Sequence, residues 1–294
     1  MIGASDIARI AATGTKPYGH ISSLPAEGAE EHYRRYLESR LEDESCTAFP
    51  GPNGVVLLCG LPWDSERFGV RCGRIEVHGD ASLCAALGAA RDRGYRFLWS
   101  KCPSGNPILA HALEDAGFRL MDCEMVLVHA GGGAERNESR FRVEAICAKP
   151  IPELASIGGV FSKSRFHADP NIANEAADGL WRESVINALA GKADEVFVAF
   201  DGDKPVGMVS CMDDALSADV FGKPVRTFFH VGVLPGQQGK GAGRQMLAAA
   251  IKGSSAKVAA LRVETQSANT AALALYQGCG FRIAASYYSF HYWV

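Results

Sequence analysis

Apolar residues follow two different spacings along most of this chain. Short apolar runs such as GVVLLCG, YRFLWS and EVFVAFD have the length and composition of buried strands, whereas SLCAALGAARDRG, NPILAHALEDAG and GRQMLAAAIKG repeat apolar residues at helical spacing. The last segment, FRIAASYYSFHYWV, is predicted to form a terminal hairpin. The alternation of strands and helices predicts an α/β fold with a mixed sheet.

A glycine-rich and charged stretch divides this pattern into two halves. Residues 131–140, GGGAERNESR, have the composition of an exposed linker. We therefore predict an N-terminal extension and domain at residues 1–130, a linker at 131–140 and a second domain at 141–294.

The two halves share a short internal repeat. Residues 106–118 and 269–281 each begin with Asn, continue as a helix and end with Gly-Phe, which Arg follows. A helix, a glycine cap and a strand also recur in unrelated α/β proteins, so the pattern alone leaves chance similarity open. The copies differ in that the second has Tyr276 where the first has Leu113. The first half also lacks a glycine-rich loop, which indicates a degenerate, non-catalytic partner.

Composition and charge exclude several classes of protein. The 294 residues are 47% hydrophobic and 21% charged, as in ordinary globular enzymes, and a net charge of −3 offers no broad basic field for nucleic acid or an anionic membrane. No apolar run approaches the roughly 20 residues that span a bilayer. The nine cysteines form no C-x-x-C pair, so we expect reduced thiols, no metal site and a cytoplasmic protein.

The sequence VGVLPGQQGKGAGR, residues 231–244, leads from an apolar strand through a glycine-dense turn into a helix. Such a turn directs backbone N–H groups and the positive end of a helix dipole at one point, which suits a diphosphate. Lys240 is followed by Gly241 rather than Ser or Thr, which disfavours a P-loop, and the glycine spacing is not that of a dinucleotide fingerprint. Gln238, Gly241 and Gly243 instead fit Q-x-x-G-x-G. A glycine-rich turn without a ligand is the alternative.

This loop and the later segment LRVETQSANTAALALYQGCGF, residues 261–281, resemble the signatures of the GNAT acetyltransferases. The resemblance implies a tandem GNAT fold, with a degenerate first half and a catalytic second half, that uses acetyl-CoA and no metal. It implies Tyr276 as the catalytic acid. It also implies that the cofactor-binding residues are Val231, Val233, Gln238, Gly239, Lys240, Gly241, Ala242, Gly243, Arg244 and Asn269.

Acyl transfer from a thioester to an amine requires a neutral amine, a site for the oxyanion and a proton for the departing thiolate. A strand amide near Val233 and the Tyr276 hydroxyl are expected to meet the last two demands. The base stays open among four polar residues, which are His230, His167, Asp169 and Glu264.

The segments LPWDSERFGV and FSKSRFHADP and the helix of Trp181 also resemble the dTDP-fucosamine acetyltransferase family. That resemblance implies a nucleotide-linked 4-amino-4,6-dideoxy sugar as the acceptor, and a homodimer as an ordinary assembly. The expected substrate-binding residues are Arg165, Phe166, His167, Asp169 and His230. The first 55 or so residues extend beyond the usual start of that family, so another small amine, a peptide N-terminus and a non-catalytic acyl-CoA-binding module are alternatives.

Overall fold

The structure, a computed structural model, describes residues 2–130 and 140–294. The chain forms two compact units. Unit 1 comprises Met1–Glu124, Ala168–Ile172 and Ala285–Val294, and unit 2 comprises Met125–His167 and Ala173–Ala284. The predicted linker at 131–140 lies outside the described residues apart from Arg140.

Unit 1 is built on a mixed sheet. Its strands are β1 (Cys46–Pro50), β2 (Asn53–Gly60), β3 (Cys72–Asp80), β4 (Phe97–Pro103), the first part of β5 (Arg119–His129) and the last part of β11 (Phe281–Trp293). Strand β2 pairs antiparallel with both β1 and β3, β4 runs parallel to β3, and β11 runs antiparallel to β4. This arrangement confirms the mixed sheet that the sequence predicts.

Helices cover both faces of the unit 1 sheet. They are α1 (Ala4–Thr13), α2 (Ala26–Glu42), α3 (Pro62–Phe68), α4 (Cys84–Asp92) and α5 (Pro107–Asp115). Val55 and Leu57 of β2 pack in one cluster with residues of α1 and α2, whereas Val56 and Leu58 pack in another with residues of α4 and α5. Because β2 is buried on both faces, its sequence is a continuous apolar run rather than an alternating one.

The strands that belong to unit 2 also include antiparallel and parallel pairs. These strands include β6 (Phe141–Ile146), β7 (Glu195–Asp201), β8 (Lys204–Asp214), β9 (Val225–Val233) and β10 (Ala260–Gln266). The first four are antiparallel to one another in chain order, and β10 runs parallel to β9.

The unit 2 sheet is also covered on both faces. Its helical segments are the 3₁₀ helix Pro152–Phe161, α6 (Arg165–Ala168), α7 (Asn174–Asn187), a π-helical turn (Ala188–Lys192), α8 (Ala215–Phe221), α9 (Ala242–Ser254) and α10 (Thr270–Gly278). Val209 of β8 packs with residues of α9 and α10, and the adjacent Met208 packs with residues of the 3₁₀ helix and α7. The strands of unit 2 therefore lie between two layers of helices. One layer contains α9 and α10, and the other contains the 3₁₀ helix and α7.

Both copies of the predicted repeat form a capped helix. Asn106 Oδ1 accepts from Leu109 N at 3.1 Å at the start of α5, and Asn269 Oδ1 accepts from Ala272 N at 3.4 Å at the start of α10. Gly117 and Gly280 end the two helices with φ of 93° and 90°. Because only glycine adopts this left-handed conformation without strain, the glycine positions in the repeat have a backbone cause.

Two expectations from the sequence are wrong. The predicted terminal hairpin is one continuous strand, β11, in which residues 287–293 pair with β4. Cys46 and Cys59 form a disulfide rather than reduced thiols, because the β1–β2 register places them directly opposite each other with Cα atoms 4.0 Å apart.

Candidate active site

Strands β9 and β10 separate part of the way along their length. The parallel register joins Val225–Phe228 of β9 to Ala260–Val263 of β10 and ends there, although β9 continues to Val233 and β10 to Gln266. The main chain of β9 beyond Phe228 therefore lies along a gap on the β10 side. An extended chain with amide and carbonyl groups can dock in such a gap.

A β-bulge marks the point at which the strands part. Ser210 and Cys211 of β8 are consecutive, but they pair with His230 and Phe228, so Phe229 is the extra residue on β9. The Phe229 side chain is half exposed. Bulges increase local twist and redirect a strand, which accounts for the divergence of β9 from β10.

The main chain of Val231 and Val233 faces the gap. His230 N donates to Ser210 Oγ at 3.1 Å and Leu234 N donates to Val206 O at 2.8 Å, so both residues point toward β8. Main-chain groups of successive strand residues point to alternate sides, which directs Val231 and Val233 toward the gap.

Residues 234–241 connect β9 to α9 and contain three glycines in the left-handed region. The φ angles are 79° at Gly236, 73° at Gly239 and 94° at Gly241, which is the N-cap of α9. A Cβ atom added at any of the three would meet nothing within 4 Å. The glycines therefore set the turn, and they leave the space beside the main chain open to a ligand.

The amides at the start of α9 lack backbone acceptors. Within the described part of the chain, the Gln237 amide donates to Leu234 O at 3.0 Å, and the next amide found to bond a backbone carbonyl is that of Gln245, which donates to Gly241 O at 3.1 Å. The amides of residues 238–244 come before Gln245 in the sequence and lie at the positive end of the α9 dipole. This cluster of exposed donors is suited to bind a phosphate or diphosphate.

Side chains of the loop hold it in shape. Gln238 Nε2 donates to Val233 O at 3.1 Å, and Lys240 Nζ donates to Gly236 O at 2.6 Å. Arg244 Nη1 donates to Gly278 O at 3.2 Å and so joins α9 to the end of α10. These side chains orient the backbone, while the amides remain available.

Ala242 and Gly243 allow α9 to approach its neighbours closely. Ala242 is buried, and a Cβ on Gly243 would lie 3.2 Å from Leu275 Cδ2 and 3.8 Å from Val233 Cγ2. A larger residue at position 243 would displace either α10 or the end of β9. Gly243 therefore fixes the position of the amide cluster relative to the gap.

Tyr276 lies on α10 with its ring in the core of unit 2. The residue is 5% exposed, and its ring packs edge-on against Phe281 at 6.2 Å between centroids. Burial raises the pKa of its hydroxyl, which therefore stays protonated at neutral pH. The hydroxyl has no hydrogen-bond partner among the described residues, so its proton is not committed to another protein group.

Asn269 is occupied by local bonds. Besides capping α10 it donates from Nδ2 to Thr265 Oγ1 at 3.1 Å, which ties the helix start to β10. Its side chain thus positions Tyr276, two turns further along the same helix.

The side chain of His230, on β9, is fully buried. Its Nδ1 is 2.8 Å from Ser210 Oγ and its Nε2 is 3.0 Å from Ser184 Oγ. Phe161 and Trp181 pack around the ring. Burial lowers the pKa of His230 to about 3, so the imidazole is neutral at pH 7 and is a poor proton acceptor there.

Sequence reasoning did not identify Ser184 and Ser210 as partners of His230. Ser210 is its cross-strand neighbour on β8, which the strand register alone determines. Ser184 lies three residues after Trp181 on α7, a spacing that places both side chains on one helix face and is the only local signal for it.

The four other predicted acceptor residues separate into two groups. In unit 2, the His167 ring lies between Ser164 Oγ at 2.8 Å and Asp178 Oδ1 at 3.2 Å, and the Arg165 guanidinium stacks on the buried Phe166 ring at 4.5 Å. Asp169 belongs to unit 1. The structure therefore brings Arg165, Phe166 and His167 together and places Asp169 elsewhere.

Asp169 is a buried structural carboxylate. One of its oxygens accepts from His291 Nδ1 at 2.8 Å and Trp293 Nε1 at 2.9 Å, and the other accepts from Asn171 N at 2.9 Å. Burial alone would raise the pKa of Asp169, but these hydrogen bonds lower it to about 2. The carboxylate stays ionised and ties the segment Ala168–Ile172 to the last strand.

Among residues 2–130 and 140–294, no group of three or more His, Cys, Asp or Glu side chains is placed to hold a metal ion. In the same ranges, no helix combines the length and apolar character needed to cross a membrane.

Comparison with known families and sequences adds to this geometry. Residues 163–281 match the family described as Acetyltransferase (GNAT) family. The spore coat polysaccharide biosynthesis protein SpsD of Bacillus subtilis (strain 168) is 31% identical over 153 residues, which are 51% of this chain and 47% of that protein. This chain thus spans about half of that relative. The dTDP-fucosamine acetyltransferase of Escherichia coli O6:H1 is 27% identical over 233 residues, which are 78% of this chain and 94% of that protein.

Solved structures show the same fold along the whole chain. A GCN5-related N-acetyltransferase from Sphaerobacter thermophilus aligns with a TM-score of 0.59 at 12% identity, covering 99% of this chain and 94% of its own. A tandem GNAT protein from the clavulanic acid biosynthesis pathway aligns with a TM-score of 0.57 at 13% identity, covering 99% and 93%. At such low identity, the likeness shows the fold alone. That fold is the two-domain tandem arrangement that the internal repeat predicts.

Proposed function

We propose that this protein, whose residues 163–281 match the GNAT acetyltransferase family, transfers the acetyl group of acetyl-CoA to a primary amine. The proposed acceptor is the 4-amino group of a nucleotide-linked amino sugar, and the proposed location is the cytoplasm. The observation that carries the proposal is the parting of β9 from β10 directly before the amide-lined loop at residues 238–244.

Coenzyme A binds, in this proposal, along the gap and the loop. The amides of residues 238–244 hold the diphosphate, with the loop held in place by Gln238, Lys240 and Arg244. The pantetheine arm extends along Val231 and Val233, where the main chain faces the gap, and passes near Asn269.

The transfer proceeds by direct attack of the amine on the thioester carbonyl. The nitrogen forms a bond to the carbonyl carbon, and the developing oxyanion accepts a hydrogen bond from the Val233 amide. As the C–S bond breaks, Tyr276 donates its proton to the thiolate. The proton that the nitrogen loses passes to solvent, and solvent restores the Tyr276 hydroxyl. A hydroxyl with a raised pKa is fully protonated before the reaction, which is the state required of the acid.

The acceptor is proposed from two kinds of support. Both sequence relatives have names that concern sugars, a dTDP-linked amino sugar in one and a spore coat polysaccharide in the other. In unit 2, Arg165, Phe166 and His167 lie together on or near α6 and present a cation, a ring and an imidazole. Such groups bind sugar hydroxyls and phosphate oxygens.

A thiol-release assay with acetyl-CoA tests the proposal. The acceptors are dTDP-4-amino-4,6-dideoxygalactose, the same sugar without its nucleotide, and a peptide with a free N-terminus. We expect turnover with the nucleotide-linked sugar and at least tenfold less with the free sugar, because the nucleotide supplies binding energy. Turnover confined to the peptide would disprove the sugar acceptor. Coenzyme A binding without release on any acceptor would favour a non-catalytic module.

A further inference from the structure

Unit 1 contains a cavity of about 550 Å³ that the proposed transfer does not use. Its walls are the segment 14–20 after α1, residues 103–105 at the end of β4, and residues 285–287 of β11. All three segments belong to unit 1. The volume lies within the range of roughly 300–1,000 Å³ that is typical of small-molecule sites.

The cavity wall is rich in hydroxyl groups. Thr15, Ser104 and Ser286 contribute aliphatic hydroxyls, and Tyr287 contributes a phenol ring. Ser104 Oγ and Ser286 Oγ are 2.5 Å apart, and Ser104 N donates to Ser286 O at 3.0 Å. The two serines are thus held in a fixed arrangement, which lowers the entropy cost of binding a ligand with matching hydroxyls.

The charge of the cavity does not favour a diphosphate. Lys16 is the single Lys or Arg among the lining residues. Its Nζ donates to Ala12 O at 3.1 Å and lies 3.7 Å from Glu30 Oε2, so its charge is already opposed by a carboxylate. Helix α4, whose amides would be the counterpart of the unit 2 loop, is not part of the cavity wall.

The internal repeat relates this cavity to one corner of unit 2. Aligning Asn106 with Asn269 places Gly105 at the position of Ala268. In unit 2 this corner is bridged, because Lys163, which follows the 3₁₀ helix, donates from Nζ to Ala268 O at 3.3 Å. In unit 1 the segment after α1 and residues 103–105 instead enclose open space. Lys163 lies directly before the Arg165–His167 segment, so the shared corner is on the proposed acceptor side.

We propose that the unit 1 cavity binds the uncharged, hydroxyl-rich ring of a sugar and does not bind coenzyme A. Unit 1 has lost the loop and the tyrosine that serve the acyl donor, but it has kept space at the corner that corresponds to the acceptor side. This assignment of the corner rests on the proposed function. The hydroxyl groups and the opposed lysine charge support the sugar ring independently of it.

Fluorine NMR of the full chain labelled with 3-fluorotyrosine tests both sites at once. The resonances of Tyr287 and Tyr276 are assigned from Tyr287→Phe and Tyr276→Phe. The probes are N-acetylgalactosamine and coenzyme A. We expect the sugar to shift the Tyr287 resonance in a saturable manner, and coenzyme A to shift the Tyr276 resonance while leaving that of Tyr287 unchanged.

Variants of the cavity wall localise the sugar signal. A Cβ at Gly105 meets nothing within 4 Å, so Gly105→Phe places a ring at the wall, and Ser286→Leu replaces a hydroxyl with an apolar side chain. Both should abolish the shift of Tyr287. Gly88→Phe, on α4 of the same unit and equally unobstructed, is the matched control and should retain it. Melting curves exclude variants that do not fold.

The outcomes separate this inference from the proposed function. No shift of Tyr287 with the sugar, a shift of Tyr287 with coenzyme A, or a sugar shift that survives in both folded wall variants would overturn the cavity assignment. Failure of coenzyme A to move Tyr276 would instead count against the proposed function, whatever Tyr287 does.

Discussion

The two halves of this chain differ at the connection from β3 to α4 in unit 1 and from β9 to α9 in unit 2. In unit 1, residues 81–83 join β3 to α4, whereas in unit 2 residues 234–241 join β9 to α9. Strand pairing before the connection is the same in both, with Cys72–Ile75 parallel to Phe97–Ser100 in unit 1 and Val225–Phe228 parallel to Ala260–Val263 in unit 2. The strand pairing is therefore the same with and without the loop, so it does not depend on the loop.

The helices that follow these connections align residue by residue. Ala86, Leu87 and Ala90 face the unit 1 core, as Met246, Leu247 and Ala250 face the unit 2 core. This register places Leu83 at the position of Gly243. The first copy thus has a bulky residue where the second has the glycine that lets α9 approach Leu275 and Val233.

A second difference lies on the face of the strands that α2 covers in unit 1 and that α7 covers in unit 2. In unit 1, Tyr36 of α2 donates to Glu76 of β3 at 2.7 Å, and in unit 2, Ser184 of α7 bonds His230 of β9 at 3.0 Å. Burial alone would raise the pKa of Glu76, but His78 and Arg74 lower it to about 2, so that pair is charged. The corresponding pair in unit 2 is neutral.

Tyr276→Phe should give the largest change among the tests of this comparison. The first copy has Leu113 at this position, and loss of the proton donor should lower kcat by roughly 100-fold or more while coenzyme A affinity stays within about threefold. Steady-state kinetics and calorimetry measure the two quantities. Tyr288→Phe, in unit 1, is the control and should leave kcat unchanged. An unchanged kcat in Tyr276→Phe would refute the acid assignment.

Gly243→Leu gives the second copy the residue of the first. The added side chain meets Leu275 and displaces the amide cluster, so coenzyme A should bind about 100-fold more weakly, or about 2.8 kcal/mol. Calorimetry checks this, with Gly88→Leu on α4 as the control. Affinity retained within threefold in a folded variant would mean that Gly243 does not fix the amides.

Asp169→Asn should destabilise unit 1 and leave unit 2 intact. Replacing a buried, charged acceptor of four donors should cost about 2 kcal/mol at pH 7. The folded pKa is below the usual 3.8, so the carboxylate stabilises above that value and the stabilisation is lost as pH falls toward about 2.

Hydrogen exchange of the β4 and β11 peptides measures the Asp169 effect. Protection should fall in these unit 1 strands and stay unchanged in β7 and β8. Asp178→Asn is the control, because its carboxylate is about half exposed and should change stability by less than about 0.5 kcal/mol. Equal loss of protection in both units would contradict a role confined to unit 1.

His230→Gln should have the smallest effect at neutral pH and should alter the acid limb of stability. The folded pKa of about 3 is below the usual 6.5, so the unfolded chain binds the extra proton between these values. Stability should fall by about 1.4 kcal/mol per pH unit through this window, and the variant should lack that slope. Urea unfolding at pH 7, 5.5 and 4.5 measures it. Identical slopes in both proteins would show that His230 is accessible to protons.

The features that the sequence predicts correctly are local ones. Gly236, Gly239 and Gly241 permit the left-handed angles that the turn adopts, and the strand before them and the helix after them follow from apolar spacing. Asn106 and Asn269 cap helices within three residues of themselves. Each of these depends on neighbours along the chain, so one sequence is enough to identify it.

The features that the sequence does not predict depend on strand register or on distant contacts. Cys46 meets Cys59 only because of how β1 pairs with β2. Asp169 finds its partners 122 and 124 residues away, on a strand that the sequence suggests is a hairpin. His230 is a plausible base by residue type, but two serines and a closed environment make it neutral and inaccessible.

Hydrogen exchange with and without coenzyme A tests the central claim most directly. The amides of residues 238–244 have no backbone acceptor in the free protein, so they should exchange fast alone and become strongly protected when the diphosphate binds. The corresponding peptide of unit 1, residues 81–87, should be unaffected. Protection absent from residues 238–244 at saturating coenzyme A, or equal in the two peptides, would contradict the account.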